Sequence, residues 1–342
     1  RPAEEVADLK VSHLADIISF LKDKTSHDFR QYKSGTLERR IERRMALLAI
    51  ERSNLTAYLD LLRKDPAERD LLAKDLLINV TSFFRDPEVF DALASTILPA
   101  IIKRLPENQP LRVWVAGCSS GEEAYSIAMI CREAIAGAKR DIKLQVFASD
   151  VDPDAIAIAR EGLYSLDIRV AVTPDRLARY FVKDDAGYRI APALRSDIVF
   201  SVQDVPSDPP VAKRDVGVCR NPLMYLNPEA QAKVISLFHF ALRDSGILVL
   251  GSSETVGNAE GRFEVIAKSE RFYRHVAGDR PGEPGTAPIF GERMPLLATG
   301  EKGVSLARQT TLAEICRRAV LARHAPAALL INRKRQCLYS MG

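Results

Sequence analysis

Cysteine is scarce and scattered: Cys118, Cys131, Cys219, Cys316 and Cys337 form no CxxC pair, and no histidine stands at ligand spacing from them. Neither a disulfide framework nor a metal site is favoured, and reduced thiols in a cytoplasm fit best. No apolar stretch reaches the length that crosses a bilayer, and the opening RPAEEVADLK has no signal-peptide core, so direct membrane insertion is not expected. An initiator Met is missing too, and the ending QCLYSMG stops on a strand-like segment. The chain reads as a piece of a longer protein with further domains. Charge of one sign is also lacking: a formal +4 and a pI near 8.7 over 342 residues are mild, so a polyanionic partner must be argued from local charge. There is no internal repeat, no GxGxxG and no GKS or GKT, which leaves the dinucleotide fingerprint and the P-loop without support.

What is present is apolar enough for real cores, with 46% hydrophobic residues. From Val6 to Ala94, apolar residues recur at helical spacing in VADLKVSHLADIISFL, TLERRIERRMALLAI and LTAYLDLLRKD, punctuated by Asn54 and by Asp65 before Pro66. That predicts an all-helical domain. At Leu111 the texture changes to LRVWVAGCSSGEEAYSIAM, a strand, a small-residue turn and a helix. KLQVFASD, PDAIAIAREGLY, DVGVCRN, PEAQAKVISLFHFAL and GILVLGSSE continue the alternation. Strands alternating with helices predict an α/β fold, a doubly wound parallel sheet. FEVIAKSERFYRHV predicts an antiparallel pair at one edge of it. Between Gly162 and Val199 the rhythm breaks into a short helix and a DDAG turn between strand-like residues, an inserted small β-subdomain.

The turn after the first strand places Gly117 and Gly121 where backbone approaches a ligand in such folds. Glu122 and Glu123 open the helix, so a phosphate would meet two negative charges there, whereas a cationic centre or free hydroxyls suit it. Asp150 ends the next strand, about thirty residues on, comparable to the acidic residue that binds a ribose in nucleotide-binding folds. An N-cap for the following helix is the competing role, and Asp152, directly before Pro153, suits that better. The octet NVTSFFRD, Asn79 to Asp86, is harder to read as a simple helix end. A capped helix with a surface Arg explains Asn79 and Asp86 but not the whole octet, whose Phe83 and Phe84 can pack the helical domain onto the sheet domain.

Taken together and in order, NVTSFFRD, AGCSSGEEAYSIAM, FASDVDPDAIAIAREGLY and VCRNPLMYLNPEAQ resemble the chemoreceptor glutamate methyltransferases, the CheR family, over Val6 to Val276. The resemblance implies a class I S-adenosylmethionine (SAM)-dependent methyltransferase domain, Rossmann-like, behind an all-helical N-terminal domain. The expected organisation is 1–90 helical and substrate-docking, 91–276 methyltransferase with the β-subdomain at about 163–198, 277–310 a Gly/Pro-rich linker, and 311–342 the beginning of a PAS-like domain. The implied cofactor contacts are Asn79, Thr81 and Arg85 from the junction, Gly117, Glu123 near the methionine end, Asp150 at the ribose, Asp204 with Val205 around the adenine, and Arg220 with Asn221. Two departures from the family stand out: the pair Asp204 and Val205 stands where Asn and Leu are common, and Pro222 where an aliphatic residue is commoner.

The activity implied is methyl transfer to glutamate carboxylates of chemoreceptors, with S-adenosylhomocysteine (SAH) as product, Tyr225 orienting the acceptor oxygen and Arg85 fixing the carboxylate. Arg39, Arg40, Arg43 and Arg44 form a basic stripe at three and four spacing, implied to dock acidic receptor helices. Its other reading is a solvated face paired with Glu38 and Glu42. The stripe lacks interleaved aromatics, so nucleic acid is not expected. The short loop VKDDAGYRI predicts an enzyme independent of a receptor pentapeptide. Competing readings are a SAM- or SAH-binding regulatory module of a sensor, and methylation of another protein or RNA, although no NPPY-like tetrapeptide is present.

Overall fold

The computed structural model describes residues 2–276 apart from Ser26, Pro209, Pro210, Asn258 and Glu260, with side chains from residue 13 onward, and the backbone of residues 328–331 and 337–341. The expected linker at 277–310, and most of the expected PAS-like segment at 311–342, lie outside the described residues.

Four helices come first: α1 (Pro2–Lys24), α2 (Ser34–Leu47), α3 (Leu55–Lys64) and α4 (Pro66–Leu76). Their apolar stripes, Leu14, Ile17, Ile18 and Leu21 on α1, Leu37, Ile41 and Met45 on α2, Tyr58 and Leu62 on α3, close into one core. The expected caps are in place. Asn54 Oδ1 accepts from Ala57 N at 3.1 Å, and Asp65 Oδ1 from Ala67 N at 2.9 Å ahead of Pro66.

A broken helical rod, α5 (Pro87–Ala92), a π turn (Leu93–Ile97) and α6 (Leu98–Arg104), leads into the sheet domain. There β1 (Leu111–Ala116), α7 (Glu122–Ala138), β2 (Leu144–Asp150), α8 (Pro153–Glu161), β6 (Ile198–Val202), β7 (Arg214–Cys219), α11 (Pro228–Ala241), β8 (Leu242–Leu250), β9 (Phe263–Ala267) and β10 (Phe272–His275) build a seven-stranded sheet of order β6-β2-β1-β7-β8-β10-β9. The first five strands run parallel, and β10 and β9 add the expected antiparallel edge. β1 is an apolar run because it is covered on both faces, and fully buried Trp114 stacks on Phe238 of α11 with ring centroids 4.6 Å apart. Between α8 and β6 the insertion forms a three-stranded antiparallel sheet, β3 (Leu163–Tyr164), β5 (Gly187–Ile190) and β4 (Phe181–Asp184) in that spatial order, with α9 (Pro174–Tyr180) before it and α10 (Pro192–Arg195) after. Farther on, β11 (Ala328–Ile331) and β12 (Cys337–Met341) form an antiparallel pair of their own.

Phe83 and Phe84, expected to pack the helical domain onto the sheet domain, lie on the sheet side of that junction. Phe83 packs edge-on against Tyr164 and Phe181, Phe84 against Phe90, and both belong to the sheet domain's core. The aromatic pair therefore anchors the junction to the sheet and the β-subdomain.

Candidate functional site

The carboxyl ends of β1, β2 and β7 open into one cleft of about 1110 Å³, mouth included. Every cofactor and catalytic residue expected above lines it: Asn79, Thr81 and Arg85 from the junction, Gly117 and Glu123 after β1, Asp150 at the end of β2, Asp204 and Val205 after β6, and Arg220, Asn221 and Tyr225 after β7. A crevice at the carboxyl ends of parallel strands is where doubly wound sheets take ligands.

The turn after β1 is wound tightly. Gly117 and Cys118 both donate to the Ser149 carbonyl, at 2.8 and 3.0 Å, and Gly117 has φ +73°. Ser119, at φ +47°, then donates its backbone N–H to Asp150 Oδ2 at 2.7 Å, while Asp152 N donates to Oδ1 at 3.0 Å. Asp150 thus caps no helix. Asp152 does, accepting from Asp154 N at 2.8 Å, and it also takes the Asn79 amide at 2.5 Å. Burial pushes the Asp150 carboxyl above the ordinary aspartate range against the backbone bonds that lower it. Asn79, hydrogen-bonded to both Asp152 and Ser119 Oγ, pins the junction onto this corner.

Arg220 is the hinge pin of the opposite wall. Its side chain is 2% exposed, and it donates to Glu123 Oε1 at 2.9 Å, Asp86 Oδ2 at 2.6 Å and the Arg85 carbonyl at 2.9 Å. Burial raises the Glu123 carboxyl, and Arg220 opposes the rise. Phe84, Asp86 and Asn221 around it all have positive φ, at 49°, 60° and 77°. Such strain persists only where the surroundings over-determine it, and it clusters at functional sites. Arg85 differs from Arg220: half-buried, it donates to the Val80 carbonyl at 3.0 Å and its side chain faces the cleft wall.

Sequence reasoning missed two contributors. Glu254, 3% exposed, sits in GSSET after β8. Its Oε2 accepts from Gly251 N at 2.8 Å and Asn221 N at 2.9 Å, and its Oε1 from Met224 N at 3.1 Å. An acidic residue four positions past an apolar parallel strand is the signal that was there to read. The second is the segment Gln31 and Tyr32, just before α2, which forms part of the cleft wall.

The arginine stripe is divided. Arg39 and Arg43 are exposed, Arg43 lying 3.5 Å from Asp75. Arg40 donates to the Asp75 carbonyl at 2.6 Å. Arg44 is taken up by a two-pronged ion pair with Glu68 of α4, which Tyr58 also bonds at 2.8 Å. Its partner is therefore neither Glu38 nor Glu42.

Two family models match this chain. The all-alpha domain of CheR methyltransferases matches residues 12–77, and their SAM binding domain residues 79–272. An uncharacterized 104.1 kDa protein of Rhodobacter capsulatus is 36% identical over 332 residues, 96% of this chain. This chain spans 34% of that relative's length. A putative methyltransferase of Pseudomonas putida, Cher3, is 30% identical over 282 residues, covering 80% of this chain and 98% of the relative. Chemotaxis protein methyltransferase 1 of Pseudomonas aeruginosa is 32% identical over 203 residues, 58% of this chain and 74% of the relative.

Proposed function

Because the chain belongs to the CheR methyltransferase family, we propose that it methylates glutamate side chains in the cytoplasmic helices of chemoreceptors, giving glutamyl methyl esters and SAH. Its cofactor is SAM. The cleft suits that molecule: Asp150 offers a ribose diol a carboxylate already fixed by two backbone bonds, and the acidic side chains of Glu123, Asp150 and Asp204 in its lining suit a ligand with a cationic centre. The observation that carries the proposal is that Arg85 and Tyr225 line the same cleft as Asp150 and Glu123.

Bound SAM supplies an activated methyl group. The acceptor carboxylate forms the O–CH₃ bond as the S–CH₃ bond breaks, the electron pair returns to sulfur, and no proton moves. A glutamate is ionised at neutral pH in water, so no general base is needed. Burial threatens that ionisation. Glu123, Asp150 and Asp204, which line the cleft, are all pushed up by desolvation, and an entering glutamate would meet the same penalty. Arg220 is committed to Glu123 and Asp86. Arg85 is accordingly the cation that keeps the acceptor charged, and the Tyr225 hydroxyl aligns its oxygen for in-line attack. Arg39 and Arg43 attract acidic receptor helices, and the short β4–β5 turn fits docking without a receptor pentapeptide. The enzyme works in the cytoplasm; no helix of the described residues is long and apolar enough to cross a membrane.

The test is incubation with tritiated methyl-SAM and receptor cytoplasmic fragments, then mild alkali. Volatile tritiated methanol from the receptor band is expected. Alkali-stable label would mean N-methylation, and SAH binding without any label would leave a regulatory module.

A further inference from the structure

We propose that Arg176, on α9 of the inserted subdomain, is a positioning residue for Arg85, which it reaches by holding Phe84. The inference rests on the reading of Arg85 as the cation at the acceptor carboxylate, and it gives the insertion a part in the reaction.

Phe84 directly precedes Arg85, and its backbone needs support. At φ +49° it lies in the left-handed region, where a side chain crowds the following carbonyl. Such a conformation persists only where its surroundings hold it. Three contacts do so. The Phe84 N–H donates to Ser126 Oγ of α7 at 3.0 Å, and that hydroxyl donates to the Glu122 carbonyl at 2.7 Å. The ring meets Phe90 of α5 edge-on, with centroids 5.3 Å apart. The Arg176 guanidinium lies over the ring, its Cζ 4.3 Å from the centroid, well within cation–π reach.

The cation is itself held in place. Half-buried Arg176 donates from Nε to Glu133 Oε1 at 3.0 Å and from Nη2 to Oε2 at 2.8 Å, a fork that fixes the plane of the guanidinium. Ser126 and Glu133 stand seven residues apart, two turns, on one face of α7. One helix therefore anchors both the Phe84 backbone and the cation over its ring. The insertion takes the preceding ring as well, since Phe83 packs on Tyr164 of β3 and Phe181 of β4. On the far side, the Arg85 carbonyl accepts from Arg220. Between these two anchors the direction in which the Arg85 side chain leaves for the cleft is set. Released by Arg176, Phe84 is free to relax toward an ordinary φ, which swings Arg85 away from the acceptor.

Single-turnover methylation of receptor fragments by the whole chain, at saturating SAM and receptor, tests this in a double-mutant cycle with Arg85→Ala. Melting curves establish that each variant is folded. Arg176→Ala should slow methyl transfer about 3- to 30-fold, the scale of one cation–π contact. Arg176→Lys, which keeps a cation facing Glu133 without the flat guanidinium, should fall between it and wild type. In the Arg85→Ala background, Arg176→Ala should change the rate by less than about twofold. The acid limb should move too. With Arg85 displaced, the acceptor carboxyl takes up its proton at a higher pH, so the rate of Arg176→Ala should begin to fall at a higher pH than that of wild type. The other charged side chains lining the cleft, Glu123, Asp150, Asp204 and Arg220, are the same in both. A wild-type rate in Arg176→Ala, equal slowing in both Arg85 backgrounds, or an unmoved acid limb overturns the proposal. Wild type that labels no receptor, or Arg85→Ala as fast as wild type, overturns instead the reading of Arg85, and the inference with it.

Discussion

Pro222 occupies the space that a side chain on Gly117 would need: a Cβ built there lies 2.3 Å from Pro222 Cγ. The two loops that wall the cleft, after β1 and after β7, are in contact through the absence of a side chain on one and a rigid ring on the other. Gly117→Ala should therefore cost about 1–2 kcal/mol for its left-handed backbone alone and weaken SAH binding at least tenfold by moving the Pro222 loop. Pro222→Ala removes the clashing atom and should restore part of the binding, though not the backbone cost. A double-mutant cycle by calorimetry decides it: equal losses from Gly117→Ala in both backgrounds would refute the contact.

Glu254 fixes the same loop from behind. Its carboxylate accepts three backbone N–H bonds at 2.8 to 3.1 Å, two from Asn221 and Met224 in the loop and one from Gly251. Glu254→Gln keeps one acceptor oxygen and turns an NH₂ toward a backbone N–H, at a cost of about 1–3 kcal/mol for the group left unsatisfied. Glu254→Ala leaves all three donors without an acceptor and should cost more. Urea unfolding measures both, and wild-type stability in the Ala variant would show that the loop is held otherwise.

Much of this architecture can be read from the sequence because its causes are local. β1 and β8 announce themselves as apolar runs because both their faces are covered, and Pro153 assigns the cap to Asp152, which separates it from Asp150. β6 escapes a sequence reading: it is an edge strand that leaves Val199 and Val202 exposed, and it follows the insertion directly. Tyr32 and Glu254 escape for a different reason. Each meets backbone groups distant in sequence, Tyr32 at Leu226 and Glu254 at Asn221 and Met224, and such contacts leave no periodicity. The aromatic pair of the junction is legible as an anchor, but Tyr164 and Phe181, which decide where Phe83 is anchored, sit about 80 and 100 residues later.

The basic stripe should separate into two kinds of arginine. Arg44 and Glu68 have side chains 13% and 5% exposed, so Arg44→Ala leaves a buried carboxylate with Tyr58 as its remaining partner. A loss of about 3 kcal/mol or more is expected. Arg43 is exposed, and Arg43→Ala should change stability by less than about 1 kcal/mol. Its effect should appear in the KM for receptor fragments and shrink as salt rises. A KM for Arg43→Ala equal to wild type at low salt would remove Arg43 from the docking surface.

Asp204 offers a pH test. Burial is the largest cause raising its carboxyl above the ordinary aspartate range, with Asp208 adding to it and Ser207 opposing. A carboxyl raised on folding contributes stability that is full below its unfolded value and is lost as pH rises through the folded value. At neutral pH the ionised Asp204 therefore weighs against the unliganded fold. Asp204→Asn, which also installs the residue common in the family, should melt higher than wild type at pH 7. The difference should vanish as pH falls below the usual aspartate value of 3.8. An equal melting temperature at pH 7, or a gap that grows on acidification, would contradict the assigned cause.

Tyr225 separates orientation from proton transfer. Its backbone is secured independently of its hydroxyl, since its carbonyl accepts from Lys33 N at 2.9 Å and its amide donates to the Pro222 carbonyl at 3.2 Å. Tyr225→Phe should therefore keep the loop and bind SAH as wild type does. What it loses is one hydrogen bond to a charged acceptor, about 1.5–3 kcal/mol, and kcat should fall about 10- to 100-fold if that bond holds the carboxylate in line. Because the reaction moves no proton, the pH dependence of the remaining rate should be unchanged. A base would behave differently: its removal would abolish the ionisation that governs kcat and alter the shape of the profile. Single-turnover rates from pH 6 to 9 distinguish the two, and an unaltered kcat would remove Tyr225 from the reaction altogether.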